Sequence, residues 1–552
     1  MALSGALTLS DLNDFISPSQ ACIKPIEVAK TSDTAGAIKV DDTGAYYEVS
    51  VDGNETKLET ATINLNDCLA CSGCITSAES VLVTLQSQEE LYNVLKQNKA
   101  AIEANDASTH RTVVVSISPQ TRASFAAKYN QTPLQVAKKL TWFFKNLGVH
   151  FVFDTSFSRD LSLLESAREF VDRYKKAVAK GTIKMPSLDG SQSTASNTAA
   201  TTGDGDMDLD APQTKAPRKR IVRRGANSDE AAAPVEKESA IPMLASACPG
   251  WICYAEKTHG YILPYISDTK SPQQIMGSMV KNHLGSQLGL KPNQIYHVCV
   301  MPCYDKKLEA SRSDFYSDLY STRDVDCVIT STEVEKMFTE QGQTDMNVFG
   351  EMSLDNGYNS VVKDPVTGQD QALVGSSGNA SGGFLEYIMR YAARELFGIA
   401  GVDVSRSLGV EVKTVRNSDF REVTLEVPGS DQPLLRFAAA YGFRNIQNLV
   451  RKVKTSKSPY HFVEVMACPS GCINGGGQLK QPASVPLKDW ILHADQQYKN
   501  GVLERSPEEN PALAQLYQEW LGGPDTLKAR QQLRTQYHAV EQNLGNPLAV
   551  KW

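Results

Sequence analysis

No stretch of this 552-residue chain has an apolar run long enough to read as a membrane span. The first twenty residues lack both a basic opening and a continuous apolar segment, and they carry Asp11 and Asp14, so a secretory leader is not expected. Positive charge is not in surplus either. Fifty-six Lys and Arg against 63 Asp and Glu leave a net charge of −7, which offers no general attraction to nucleic acid or anionic lipid. Phosphate-binding glycine signatures are missing too. There is no P-loop, and Gly375-Ser-Ser-Gly-Asn-Ala-Ser-Gly-Gly383 lacks the G-x-G-x-x-G spacing of a dinucleotide site. That stretch reads as a tight turn ahead of a helix starting at Phe384, with Asn379 and the serines either capping the helix or lining a pocket. These absences leave a chain expected in the cytoplasm, with the nucleus also open to it, and with neither nucleic acid nor membrane as partner.

What the chain does have is eleven cysteines, in a setting where thiols stay reduced and their spacing matters more than their number. The length suits two or three domains. Residues 1–85 form an N-terminal region in which short strands, Ala45–Val51 and Thr62–Leu65, run up to a cysteine-bearing loop. Over 86–185, the strand signals Val113–Ile117 and Val149–Phe153 flank an amphipathic segment, Leu134–Asn146, a βαβ pattern that implies a parallel sheet. Residues 186–240 are rich in small and polar residues and too poor in large apolar ones to bury a core, so they read as a disordered insertion. Its basic run, Lys215–Arg224, reads as a solvated block or as a patch for import or an acidic partner. From 241 to 480 strand-like runs recur at Tyr296–Met301, Asp326–Ile329, Leu408–Val412 and His461–Val465, with a helical segment over Phe384–Leu396. Residues 481–552 are expected to be helical over Leu487–Tyr498, Ala512–Leu521 and Leu527–Leu544.

Cys68-Leu-Ala-Cys71-Ser-Gly-Cys74 sets three thiols at every third position in one loop of small residues. This is the spacing of bacterial-type ferredoxin loops around a four-iron cluster, whose fourth thiolate comes from elsewhere. A zinc site would normally show a second C-x₂-C or C/H pair nearby, and none is present. The nearest candidate for the fourth ligand is Cys22, which otherwise reads as a plain thiol near the terminus. Four further cysteines sit at turns rich in Gly and Pro: Cys248 in Ala-Cys-Pro-Gly-Trp, Cys303 in Met-Pro-Cys-Tyr-Asp-Lys-Lys, and Cys468 and Cys472 in Met-Ala-Cys-Pro-Ser-Gly-Cys-Ile-Asn-Gly-Gly-Gly. Three of the four follow apolar strands, which places them where α/β folds gather their sites. Cys253, Cys299 and Cys327 match no ligand motif and read as small apolar residues.

These three segments resemble, in the same chain order, the signature motifs that hold the active-site cluster of iron-only hydrogenases. With Cys22 and the run Lys307–Ser311, the chain is most similar to the eukaryotic Nar1 branch of that family, which serves cytosolic iron-sulfur protein assembly. The resemblance implies an α/β fold of two lobes with parallel sheets, an N-terminal ferredoxin-like cluster region and a C-terminal helical segment. It implies two 4Fe-4S clusters, one on Cys22, Cys68, Cys71 and Cys74 and a buried one on Cys248, Cys303, Cys468 and Cys472. The role it implies is transfer of clusters from a cytosolic iron-sulfur scaffold to a targeting complex and, through it, to apo iron-sulfur proteins. The alternative is an oxidoreductase, either a hydrogenase or an electron carrier. Against a hydrogenase, the residue before Cys248, where the enzymes carry a proton-transferring thiol, is Ala247, which has no proton to give. Met301 and Lys306, which match residues around the enzymes' diiron subsite, are retained. The chain ends in Lys551-Trp552, read either as a docking anchor for the targeting machinery or as a residue packed back onto the helices.

Overall fold

The computed structural model describes residues 83, 85–106, 109–184, 237–415, 417–427 and 432–540, and between residues 7 and 63 the backbone of five short strands. Nine strands build its two main sheets: β1 (Thr112–Ile117), β2 (Phe151–Asp154), β3 (Met243–Ala245), β4 (Ile295–Met301), β5 (Cys327–Thr330), β6 (Glu411–Thr414), β7 (Phe420–Leu425), β8 (Leu435–Tyr441) and β9 (Phe462–Met466). The first sheet has the order β5-β4-β1-β2 and is wholly parallel. Its strands are almost continuously β-branched and apolar, as befits a sheet covered on both faces. The crossover from β1 to β2 uses two helices, Pro119–Tyr129 and Pro133–Asn146. The second is set by a capping box, in which Thr132 Oγ1 accepts from Gln135 N at 3.2 Å while Gln135 Oε1 accepts from Thr132 N at 3.0 Å.

The second sheet has the order β6-β7-β8-β9-β3. It is parallel from β8 to β3 but antiparallel from β6 to β8, so the expectation of parallel sheets holds only in part here. The strand expected at Leu408–Val412 begins later, at Glu411, and forms the exposed edge. Between the lobes runs the helix Ser156–Ala179, buried at every residue from Ser156 to Ala167. Phe170 on this helix meets Phe437 of β8 and Phe462 of β9 edge to face, at centroid distances of 5.1 and 5.8 Å, which locks the helix onto the second sheet.

At the N-terminus, the backbone strands Tyr46–Val49 and Ala61–Ile63 fall where the alternating pattern placed them. The expected insertion lies outside the described residues apart from 237–240. At the other end the helices Leu487–Lys499 and Pro511–Leu521 agree with expectation. The third stops at Leu533 instead of continuing to Leu544, and the chain from Arg534 to Val540 runs extended across the surface. Arg534 ends the helix because its guanidinium is drawn to Glu165 and Glu169 on the buried helix, at 3.0 and 2.5 Å. Among the described residues no helix is long and apolar enough to cross a membrane.

Phe437→Ala empties the junction of β8, β9 and the inter-lobe helix and is expected to cost about 3–5 kcal/mol. The check is the urea midpoint of unfolding. Val366→Ala, at a side chain 91% exposed, should leave that midpoint unchanged within error.

Candidate metal centre

The carboxyl ends of the parallel strands in both sheets meet in one crevice. β1 delivers Ser118-Pro119-Gln120, β3 delivers Ser246-Ala247-Cys248, β4 delivers Met301-Pro302-Cys303, and β9 delivers Ala467-Cys468 followed by the turn to Cys472. Such crevices at strand ends are where open α/β sheets place their ligands. A small cavity opens here, bounded by Pro119, Ala247, Met301, Lys306, Ser381 and Cys472.

Each cysteine is held by its own local device. Cys248 precedes the helix Pro249–Thr258, its N–H donates to Ser246 Oγ at 3.0 Å, and its sulfur accepts from Ala467 N at 3.4 Å. Cys303 follows β4 and is buried, as is Cys468. Between Cys468 and Cys472 the chain turns through Ser470 and Gly471, both with positive φ (61° and 80°). A side chain at 471 would collide with Ser381, whose hydroxyl oxygen accepts from Cys472 N at 3.1 Å. Farther on, Gly477 N donates to Pro302 O at 2.9 Å, and a Cβ at Gly475 would stand only 2.4 Å from that same oxygen. The glycine run therefore lets the β9 loop press against the Cys303 loop.

The electrostatics suit a cationic group. Burial, with Cys472 and Asp305 adding to it, pushes the Cys248 thiol well above its usual range, so ionising these sulfurs requires compensating positive charge. Lys306 supplies part of it. Burial works against its charge, yet Glu309 at 2.7 Å holds its pKa above the ordinary value, and the nearby Cys303 and Cys472 act in the same direction. Thiols on three loops, three of the four buried, with an amide aimed at one sulfur and a buried lysine beside two others, form a donor set that fits an iron-sulfur cluster. Among the described residues no three His, Cys, Asp or Glu side chains are grouped to hold a single metal ion. A four-iron cluster, being larger than one ion, asks its thiolates to stand further apart.

A layer of polar groups behind the crevice was not foreseen. Glu464 on β9 is fully buried, accepts from Tyr441 Oη at 2.6 Å and from Leu385 N at 2.8 Å, and stands near Glu386. Burial, reinforced by Glu386, pushes its carboxyl upward. Asn379 Nδ2 donates to both oxygens of Glu386 at 3.2 Å, while its Oδ1 accepts from Ser381 N at 2.7 Å. The chain Glu386–Asn379–Ser381–Cys472 thus links the carboxylate to the metal-facing loop. Asn379 acts behind the crevice, whereas Ser381 lines it. An acidic residue inside an apolar strand was the only sequence signal of this layer.

Cys299 and Cys327 lie fully buried in β4 and β5, as their apolar surroundings suggest. Cys253 is half-buried and shares a second cavity with Cys248. Cys22, Cys68, Cys71 and Cys74 lie outside the described residues, as do the basic run Lys215–Arg224 and Trp552.

Comparison with known proteins agrees with this geometry. The family model for the iron only hydrogenase large subunit, C-terminal domain, matches residues 111–186 and 223–476, and that for the iron hydrogenase small subunit matches residues 492–540. A solved structure of apo [FeFe]-hydrogenase HydA1 from Chlamydomonas reinhardtii superposes with a TM-score of 0.59 at 25% identity, covering 81% of this chain and 98% of that one. Over its whole length the chain is 49% identical to a cytosolic Fe-S cluster assembly factor of Xenopus tropicalis, spanning 99% of that protein. It is likewise 48% identical to a cytosolic iron-sulfur assembly component of Rattus norvegicus, again over 99% of the relative. With the hydrogenase family model over residues 111–186 and 223–476 and with these relatives matched from end to end, the chain belongs to the iron-only-hydrogenase-like family of cytosolic iron-sulfur cluster assembly factors.

Proposed function

We propose that the chain holds two 4Fe-4S clusters and passes clusters from a cytosolic scaffold to a targeting complex, and through it to apo iron-sulfur proteins. The observation that supports this reading is the approach of three loops, with Cys248 near Cys472 and with Lys306 beside both Cys303 and Cys472, in a chain similar over its full length to cytosolic assembly factors. Cys248, Cys303, Cys468 and Cys472 hold the buried cluster. Cys22, Cys68, Cys71 and Cys74 hold the other, on a loop whose spacing is that of a ferredoxin. When bound, such a cluster supplies one-electron chemistry and iron and sulfide that can be exchanged. The protein's share is to exclude water, hold Lys306 beside the sulfurs and keep Cys472 in place through Ser381. It works in the cytosol, without nucleic acid or membrane, and its C-terminal Trp552 serves as an anchor for the targeting complex.

We further propose that the chain is not a hydrogenase. Ala247 lines the cavity at the point where a proton must enter, and an alanine moves none. Retention of Met301 and Lys306 in that cavity supports a second reading, an oxidoreductase of the same family, either a hydrogenase or an electron carrier.

Anaerobically purified protein is expected to contain about eight iron and eight sulfide per chain, in two spectroscopically distinct sets. Stoichiometric zinc with negligible sulfide would overturn the assignment. Cys303→Ala and Cys468→Ala should lower soluble yield and protease resistance of the whole chain, because a buried metal's binding energy is also folding energy. Cys71→Ala should loosen the N-terminal region alone, and identical behaviour of the three variants would speak against two separate clusters.

Gas chromatography should find no hydrogen evolved or consumed, even after incubation with a synthetic diiron complex, and Ala247→Cys alone should not restore turnover. Hydrogen from the wild-type protein would refute the non-catalytic reading. For the terminus, deleting Trp552 should abolish capture by the targeting complex with iron content unchanged; loss of iron with capture intact would mean that Trp552 packs inward.

A further inference from the structure

Beside the crevice lies a second, smaller cavity, which shares Ala247 with it and reaches the loop that carries Cys248. Its inner wall includes Ala247, Cys248 and Cys253, and its outer wall includes Arg312, Thr535 and Tyr537. Thr535 and Tyr537 belong to the extended segment Arg534–Val540, which crosses the mouth of the cavity like a strap.

The strap is fastened at both ends and in the middle, almost entirely by polar contacts. At its start Lys270 N donates to Leu533 O at 2.9 Å and Thr535 N to Asp268 O at 2.8 Å, while Arg534 pairs with Glu165 and Glu169. In the middle Tyr537 Oη donates to Ser267 O at 3.1 Å, and the Arg312 guanidinium stands over the tyrosine ring at 5.9 Å. At its far end Glu256 accepts from His538 N at 2.9 Å through Oε1, and its backbone oxygen accepts from Val540 N at 2.9 Å. The same Glu256 carboxylate holds Arg312 by two hydrogen bonds, of 2.7 and 2.8 Å, so strap and cavity wall share one latch. His538 Nε2 also meets Asp314 at 2.9 Å. Gly260 leaves room for the strap to lie flat, since a Cβ there would stand 2.8 Å from that of Ala539.

Past Arg534 the strap buries little. Gln536, His538, Ala539 and Val540 are exposed, and only Thr535 and Tyr537 reach inward. A segment with four exposed residues, held by part-buried hydrogen bonds and one half-buried ring with little apolar packing, belongs to the low-stability end of a fold, which opens without global unfolding. The structures beneath it are of the opposite kind: Cys248 is buried and Trp251 is fully so.

We propose that Arg534–Val540 is a detachable cover over the Cys248 cavity, with Arg534 as its fixed hinge and the Glu256–Arg312 pair as its latch, and that lifting it is the step that admits reagents to the Cys248 side of the metal centre. The metal rests on the function proposed above; the cover does not, because access to a thiol can be measured in protein that carries no metal.

The test compares three chains: the full protein, one lacking residues 541–552, and one lacking 535–552. Two rates are read, alkylation of Cys248 by iodoacetamide in metal-free protein, followed by peptide mass spectrometry, and loss of iron from the as-purified protein to a ferrous chelator. Removing 535–552 is expected to raise both rates about tenfold or more, while removing 541–552 leaves both as in the full chain. Tyr537→Ala keeps the chain length and should raise alkylation about threefold, which guards against a truncation that merely misfolds. Equal alkylation of Cys248 in all four proteins would overturn the proposal. Faster alkylation without strap or ring, in proteins that contain no iron when purified, would retain the cover and refute the metal assignment instead.

Discussion

Two stretches of backbone far apart in the sequence, Pro302 after β4 and Gly475–Gly477 after β9, approach so closely that no side chain fits between them. Gly477 N donates to Pro302 O, and Thr332 N in turn donates to Gly477 O at 3.1 Å, so three loops from both sheets are stitched at one point. Gln478 extends the seam, accepting from Ser331 Oγ at 2.7 Å and donating to Gln120 O at 2.9 Å. This contact sets the distance between the lobes and with it the place of Cys303 relative to Cys468 and Cys472. A methyl group at 475 or 477 would force the loops apart.

Several charged groups around the crevice are buried, and they are balanced by close partners. Lys306 and Glu309 form one such pair, with Lys306 Nζ also donating to Ser271 Oγ at 3.2 Å. On the far side Glu464 and Glu386 share a smaller environment with Arg421, which stands 3.6 Å from Glu386. Lys306 acts directly on Cys303 and Cys472, whereas Glu386 reaches Cys472 through the hydrogen bonds of Asn379 and Ser381, so part of the field at the sulfurs is fixed by the fold.

Legibility in the sequence followed the range of the interactions involved. Val113–Ile117 and Tyr296–Met301 announce themselves as buried parallel strands because burial on both faces requires unbroken apolar runs. The cysteine turns stand out because Gly and Pro beside a thiol have few other purposes. Phe420–Leu425 and Leu435–Tyr441 were overlooked for opposite reasons: Arg421 and Glu422 interrupt the first, and the Ala438–Ala440 triplet of the second favours helix in isolation and becomes strand only between two neighbours. The roles of Ser381 and Glu464 depend on partners at Cys472 and Tyr441, which no local pattern encodes. The end of the helix at Leu533 was hidden in the same way, since it is set by Glu165 and Glu169 more than 350 residues upstream.

That last contact also orders events in time. A polypeptide emerges from the ribosome N-terminus first, at about 5–20 residues per second, so the roughly sixty residues between Cys472 and Arg534 take about 3–12 s to appear. All four thiols of the crevice exist before the segment that crosses the neighbouring cavity. A newly made chain therefore passes through an interval in which its Cys248 side stands uncovered, whereas a finished chain must part Arg312 from Tyr537 to reach the same state. Reaching the Cys248 side before residues 534–540 are in place and reaching it afterwards are thus two different problems in accessibility.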